Sequence, residues 1–110
     1  MKTDEWVIHS PTITSTKFWP GELGRFSNFA VLCAKVVVGD NNYGPQFFFV
    51  PIRDEKDHLA LPGVEVGDIG AKMGYQSKDN GYLIFTHYRV PRENLVIFKK
   101  NKTYIALEVL

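Results

Sequence analysis

Two aromatic rings, a proline and a glycine stand together at Phe18-Trp19-Pro20-Gly21, inside the longer stretch Lys17–Gly24. Pro20 has a fixed φ and no N–H, while Gly21 and Gly24 expose main chain that carries no Cβ. A ring wall beside bare backbone is suited chemically to a planar heterocycle. The same residues have a plainer reading, in which Phe18 and Trp19 are core residues ending a strand and the glycines merely turn the chain. Other chemistry-bearing residues are sparse. Asp68 and Asp79 are separated by several glycines, so no acid–base geometry follows from their spacing, and both are expected to be solvated loop residues. His9 has no second His, Cys or carboxylate at metal-ligand spacing beside it, so no metal site is assigned. His58, in the charged connection Arg53–His58, is expected to be a solvated side chain.

The elements that must position that wall read as strands. Trp6-Val7-Ile8-His9 alternates, Pro11 interrupts, and Thr12–Trp19 resumes with threonines that suit a pleated surface. Asn28–Val38 is β-branched and apolar and reads as a long, largely buried strand. It is closed by the turn Gly39-Asp40-Asn41-Asn42, and Gln46-Phe47-Phe48-Phe49-Val50-Pro51-Ile52 returns as its hairpin partner. Three consecutive phenylalanines put rings on both faces of that strand, and both faces are expected to be covered. Tyr82-Leu83-Ile84-Phe85 and Tyr88-Arg89-Val90-Pro91 add further strands, with Pro91 marking an edge or exit position. No segment has sustained helical periodicity. Six or seven strands without repeats, low-complexity tracts or linkers predict an all-β chain, a small antiparallel β-barrel or sandwich.

Composition narrows the classes. The chain has 110 residues and a net charge of +1, which supports one domain over residues 1–110 and excludes a nucleic-acid electrostatic footprint. Lys99-Lys100-Asn101-Lys102 reads as a solvated turn. The single cysteine, Cys33, cannot form an internal disulfide and is expected to be a buried, inert thiol in an intracellular protein. No stretch approaches a membrane span in length. Asp4 and Glu5 close behind Met1 do not fit a signal or transit peptide.

Three motifs occur in one order: Lys17–Gly24, then Leu61-Pro62-Gly63-Val64-Glu65-Val66-Gly67-Asp68-Ile69-Gly70, then Asp79-Asn80-Gly81-Tyr82-Leu83 leading into Arg89-Val90-Pro91-Arg92-Glu93-Asn94. Together they resemble the middle β-domain of the peroxisomal acyl-CoA oxidases, relatives of the acyl-CoA dehydrogenases, over Glu5 to Tyr104. The resemblance implies a β-domain set between an N-terminal helical domain and C-terminal helical bundles, both absent from these 110 residues. It implies FAD as cofactor and oxidation of acyl-CoA to enoyl-CoA in fatty-acid β-oxidation, with release of hydrogen peroxide. In such enzymes a carboxylate of the C-terminal helical region removes the α-proton, so no Asp or Glu here is assigned as catalytic.

A glycine of the Trp-Pro-Gly stretch lies against the flavin in the family, which transfers that role to Gly21 with Trp19 and Pro20 as its setting. A second flavin contact comes from a Gln-Thr-Glu stretch upstream of the matched residues. Two positions depart from the family pattern: Phe18 stands where a tryptophan is frequent, and Phe29 where a histidine is expected after Asn28.

Two functions follow. One is an oxidase-like β-domain that contributes to FAD and acyl-CoA binding and works only with helical partner domains or subunits. The other is a catalytically inactive structural or interaction subunit that keeps the β-domain within a larger assembly. A ligand barrel of lipocalin type is disfavoured by the irregular Gly-rich loops. An exposed strand edge and association with another chain are expected. Peroxisomal localisation is implied by the resemblance alone, since Glu108-Val109-Leu110 is not a Ser-Lys-Leu type of address.

Overall fold

The computed structural model of the chain describes residues 4–96 and the backbone of Glu108–Val109. Its strands are β1 (Glu5–Ile8), β2 (Lys17–Gly21), β3 (Phe29–Val38), β4 (Asn41–Pro51), β5 (Val64–Asp68), β6 (Asn80–Phe85), β7 (Tyr88–Pro91), β8 (Leu95–Val96) and β9 (Glu108–Val109). They form two sheets, one of order β7-β1-β9-β3-β4-β8 and one of order β2-β6-β5. Every pairing is antiparallel except the contact of Ile8 with Val109 between β1 and β9. The all-β reading therefore holds, in the form of a sandwich: the described strands make two sheets and do not close into a barrel.

The expected hairpin is present. β3 and β4 pair from Phe29 with Pro51 to Val38 with Asn41, with a register shift between Lys35 and Val37. Gly39, at φ 58°, and Asp40 make the connection, so Asn41 and Asn42 already belong to β4 rather than to the turn.

One core joins both sheets. Trp6 and Ile8 of β1, Leu32 and Val36 of β3, Phe48 and Val50 of β4, and Leu83 and Phe85 of β6 are buried together. Trp6 and Phe48 meet edge to face at 5.3 Å, and the Trp6 indole N–H donates to the Arg92 carbonyl at 3.1 Å. An amphipathic ring is thus buried with its one donor satisfied.

Four expectations need correction. Thr12–Thr16 is not β-strand: Ile13–Ser15 form a 3-10 turn, with Ser15 N–H donating to the Thr12 carbonyl and Thr16 N–H to that of Ile13. The Thr12 and Thr14 hydroxyls bond each other at 2.7 Å, the local pairing by which Thr and Ser compete with a ladder. β3 is not largely buried: it alternates strictly over Val31–Val36, with Leu32, Ala34 and Val36 inside and Val31, Cys33 and Lys35 outside. Cys33 is accordingly exposed. Finally, only one face of the phenylalanine run is sealed. Phe48 is wholly buried, whereas Phe47 and Phe49 are about half exposed. The period of two sends neighbours to opposite faces, and hydrophobicity alone does not supply a second layer.

Among the described residues nine strands replace the expected six or seven, the additions including the two-residue strands β8 and β9. Pro91 does end an edge strand, β7. Lys99–Lys102 lie outside the described residues. The two phenylalanine environments predict different costs. Phe48→Ala should destabilise the chain by about 3–5 kcal/mol in urea unfolding. Phe49→Ala, which loses a stack on Phe29, should cost about 1 kcal/mol.

Candidate functional site

β2 and β6 pair Lys17 with Leu83 and Phe18 with Tyr82, and then resume at Gly21 with Asn80. Trp19 and Pro20 on β2 thus oppose Gly81 alone, which is a β-bulge. Pro20 suits it, having no N–H to offer a ladder. Trp19 takes φ 87°, in the half of conformational space that favours glycine. Phe18 and Trp19 are 63% and 53% exposed, so the core-residue reading of these two rings is overturned. The Trp-Pro-Gly segment also proves to be strand; the turn follows it, over residues 22–27.

That turn is clamped from below. Phe26 and Ser27 N–H both donate to the Glu22 carbonyl, and Leu23 is buried. Asp79 Oδ2 accepts the N–H of Arg25 at 2.9 Å and of Phe26 at 3.4 Å. The Arg53 guanidinium donates to the carbonyls of Ser27, Leu23 and Gly24 at 2.7, 3.0 and 2.8 Å. Two buried charged side chains thus bond the turn from both sides, and at the Gly24–Arg25 peptide Arg53 takes the carbonyl while Asp79 takes the N–H. Burial pulls the Arg53 pKa below its ordinary value and Asp79 opposes that shift. Sequence reasoning missed both roles. Asp79 was expected in solvent, and Arg53 stood only as the start of a charged connection.

Asp68 is exposed, as expected, and Arg25 joins it to the Asp79 loop through an Nε contact of 3.2 Å. The Gly70 N–H, and then Arg25 and Lys72, hold the Asp68 carboxyl below the usual carboxylate range. A depressed carboxylate stabilises the fold above its unfolded pKa. That contribution is lost as pH falls through the folded value. Glu22 pairs with Lys78. All three carboxylates near the bulge are therefore engaged in structure, and none stands as a free base.

Gly81 is dictated by close approach. A Cβ at Gly81 would lie 2.4 Å from Gly24 N and 2.7 Å from Gly24 Cα, so the turn rests directly on β6. Gly21 is different: a Cβ there would meet the flexible end of Lys78, at 2.9 Å from Cε, and would intrude on space open to solvent. Gly21 borders two grooves. One, of about 450 Å³, is walled by Trp19, Pro20, Tyr75, Lys78 and Asn80. The other, of about 290 Å³, is walled by Pro20, Leu23, Phe29, Val31 and Leu83, among others. The geometry brings Trp19, Pro20 and Gly21 into one surface where a flat ring can meet an indole and bare backbone, which fits a planar group such as an isoalloxazine.

The remaining sequence candidates lie elsewhere. His9 stacks on His87 at 4.0 Å, beyond the end of β1. Among the described residues no group of three or more His, Cys, Asp or Glu could hold a metal ion. His58 is exposed, yet its Nε2 contacts the Arg25 carbonyl.

A two-sheet β-domain with a bulged aromatic wall defines the class, and comparison with known proteins supplies the family. No protein-family profile matches the chain. Acyl-coenzyme A oxidase acox-1.1 of Caenorhabditis elegans is 53% identical over 95 residues, 86% of this chain and 14% of that protein. Peroxisomal acyl-coenzyme A oxidase 1 of Cavia porcellus is 48% identical over 108 residues, 94% of this chain and 16% of that protein. The crystal structure of acyl-CoA oxidase-1 from Caenorhabditis elegans, complexed with FAD and ATP, superimposes with a TM-score of 0.84 at 52% identity, covering 87% of this chain and 15% of that one. The chain is homologous to one segment of the acyl-CoA oxidases, members of the acyl-CoA dehydrogenase superfamily, and has the fold of their β-domain. It spans about one-seventh of the length of the relatives it matches.

The Gly24–Gly81 contact predicts that Gly81→Ala, which drives a methyl into backbone, should lower unfolding free energy by about 3 kcal/mol in urea titrations.

Proposed function

We propose that this chain is the β-domain portion of an acyl-CoA oxidase-like flavoprotein, with Trp19, Pro20 and Gly21 forming the wall against the flavin ring. The observation that carries the reading is an exposed indole beside a glycine with no Cβ, in a chain about half identical over most of its length to acyl-CoA oxidases, one of which is known as a complex with FAD. When bound, FAD supplies the redox chemistry, taking hydride from the β-carbon of an acyl-CoA and passing electrons to oxygen to give hydrogen peroxide. The residues of this chain orient the ring and shield it from water. Helical domains or subunits contribute the proton-abstracting carboxylate, the rest of the flavin site and the acyl-CoA pocket. A peroxisomal location follows the naming of relatives such as that of Cavia porcellus.

A second reading keeps the β-domain as a catalytically inactive structural or interaction subunit. Phe29 favours it, placing an apolar ring beside the groove at Gly21 where the resemblance leads to the expectation of a histidine.

Flavin content separates the two. Gly21→Val, introduced into the assembly that contains this chain, should reduce FAD retention at least tenfold, read from visible absorbance after gel filtration. Lys78→Ala serves as control, because a valine at 21 also displaces the Lys78 side chain, and should retain FAD. A folded Gly21→Val assembly with undiminished flavin, or a flavin-free wild-type assembly, would sink the flavin-wall reading. The chain by itself should give no acyl-CoA-dependent peroxide, since a positioned base contributes about a hundred- to ten-thousand-fold.

A further inference from the structure

We infer that Asn80 is a positioning residue, whose carboxamide holds Trp19 in a backbone conformation the chain would otherwise leave and so fixes the aromatic wall. Its functional meaning rests on the flavin reading above; its geometry does not.

Bulges of this kind ordinarily place glycine at the residue with positive φ. Here that residue is Trp19, at φ 87°, and Pro20 follows it, which crowds the preceding residue further. A bulky side chain so placed is strained and persists only where its surroundings over-determine it. The β2–β6 ladder cannot supply that restraint, because pairing stops at Phe18 and resumes at Gly21, and Pro20 has no N–H.

The restraint comes from Asn80 Nδ2, which donates to the Trp19 carbonyl at 2.7 Å. Asn80 is a rigid donor. It is 5% exposed, and its own carbonyl accepts the Ile69 N–H. On one side of it the Asp79 carbonyl accepts the Glu22 N–H, and on the other Gly81 packs on Gly24. Its Oδ1 has no hydrogen-bond partner among the described residues, so the bond to Trp19 is the side chain's hydrogen bond there.

The consequence lies in where the rings point. Consecutive residues of a regular strand face opposite ways, yet Phe18 and Trp19 are both exposed. The bulge makes that possible, and Asn80 holds the bulge. Without its donor, Trp19 returns to negative φ, the register to Gly21 changes, and the indole leaves the groove it shares with Pro20 and Gly21.

In the isotopically labelled chain, a strong intraresidue amide-to-Hα NOE at Trp19 reports the positive φ. It should weaken to the strength of the neighbouring strand residues in Asn80→Asp, which keeps the shape but loses the donor, and in Asn80→Ala. Amide dispersion matching that of the unaltered chain in both variants separates this change from loss of folding. Trp19→Gly relieves the strain, so the drop in Tm caused by Asn80→Ala should shrink by at least half in that background. An NOE of undiminished strength in Asn80→Ala, or an equal Tm drop in both backgrounds, overturns the inference. In the flavin-loaded assembly Asn80→Ala should weaken FAD binding at least tenfold, and unchanged affinity alongside a weakened NOE overturns the positioning role. A wild-type assembly without FAD refutes the flavin reading instead, and the NOE and Tm results still decide the role of Asn80.

Discussion

Gly24 and Gly81 meet with almost no space between their backbones, and the wall depends on that contact. It seats the 22–27 turn on β6, and β2 enters that turn directly from its bulge. Polar groups brought so close to a second backbone must be satisfied locally, because water is excluded. Arg53 and Asp79 do this from below, one giving hydrogens to three carbonyls and the other accepting from two amides. Charge-assisted bonds are the stronger kind, and a guanidinium stays charged even where burial lowers its pKa. Removing either side chain would leave the peptide groups it satisfies without that partner, which costs about 1–3 kcal/mol for each group left buried and unpaired.

This arrangement explains why carboxylates crowd the site without offering a base. Asp79 lies inside the fold as a cap for the turn, Asp68 is held by Arg25 and the Gly70 amide, and Glu22 is tied to Lys78. Each is engaged in shaping the surface. What the surface presents is apolar and flat, a task for rings and bare main chain rather than for proton transfer.

The outer face of the β3–β4 hairpin extends that apolar character. Phe29 stacks on Phe49 at 5.2 Å, and Val31 and Phe47 stand beside them, all exposed. A contiguous patch of this kind marks an interaction surface. Phe29 links it to the groove beside Gly21.

Local pattern was enough for part of this structure. Two apolar runs around Gly39-Asp40 specify the β3–β4 hairpin, because pairing across a short loop needs only neighbours in sequence. The ordered Trp-Pro-Gly, Leu-Pro-Gly and Asp-Asn-Gly motifs specified the β-domain and the residues of the candidate wall. Exposure was not legible, because whether Val31, Cys33, Phe47 or Trp19 is buried depends on which face meets another layer, and that is set by sheet packing. Thr12–Thr16 had strand composition but found no partner strand among the described residues, and local hydroxyl and backbone bonds prevailed. The clamp was hidden for a similar reason. Arg53 reaches back 30 residues to the Leu23 carbonyl, and Asp79 reaches back 54 to the Arg25 amide. Sequence by itself determined which residues could build a ring wall; only the tertiary structure decided that the wall faces outward, because a strained bulge is stable only when distant side chains converge to hold it.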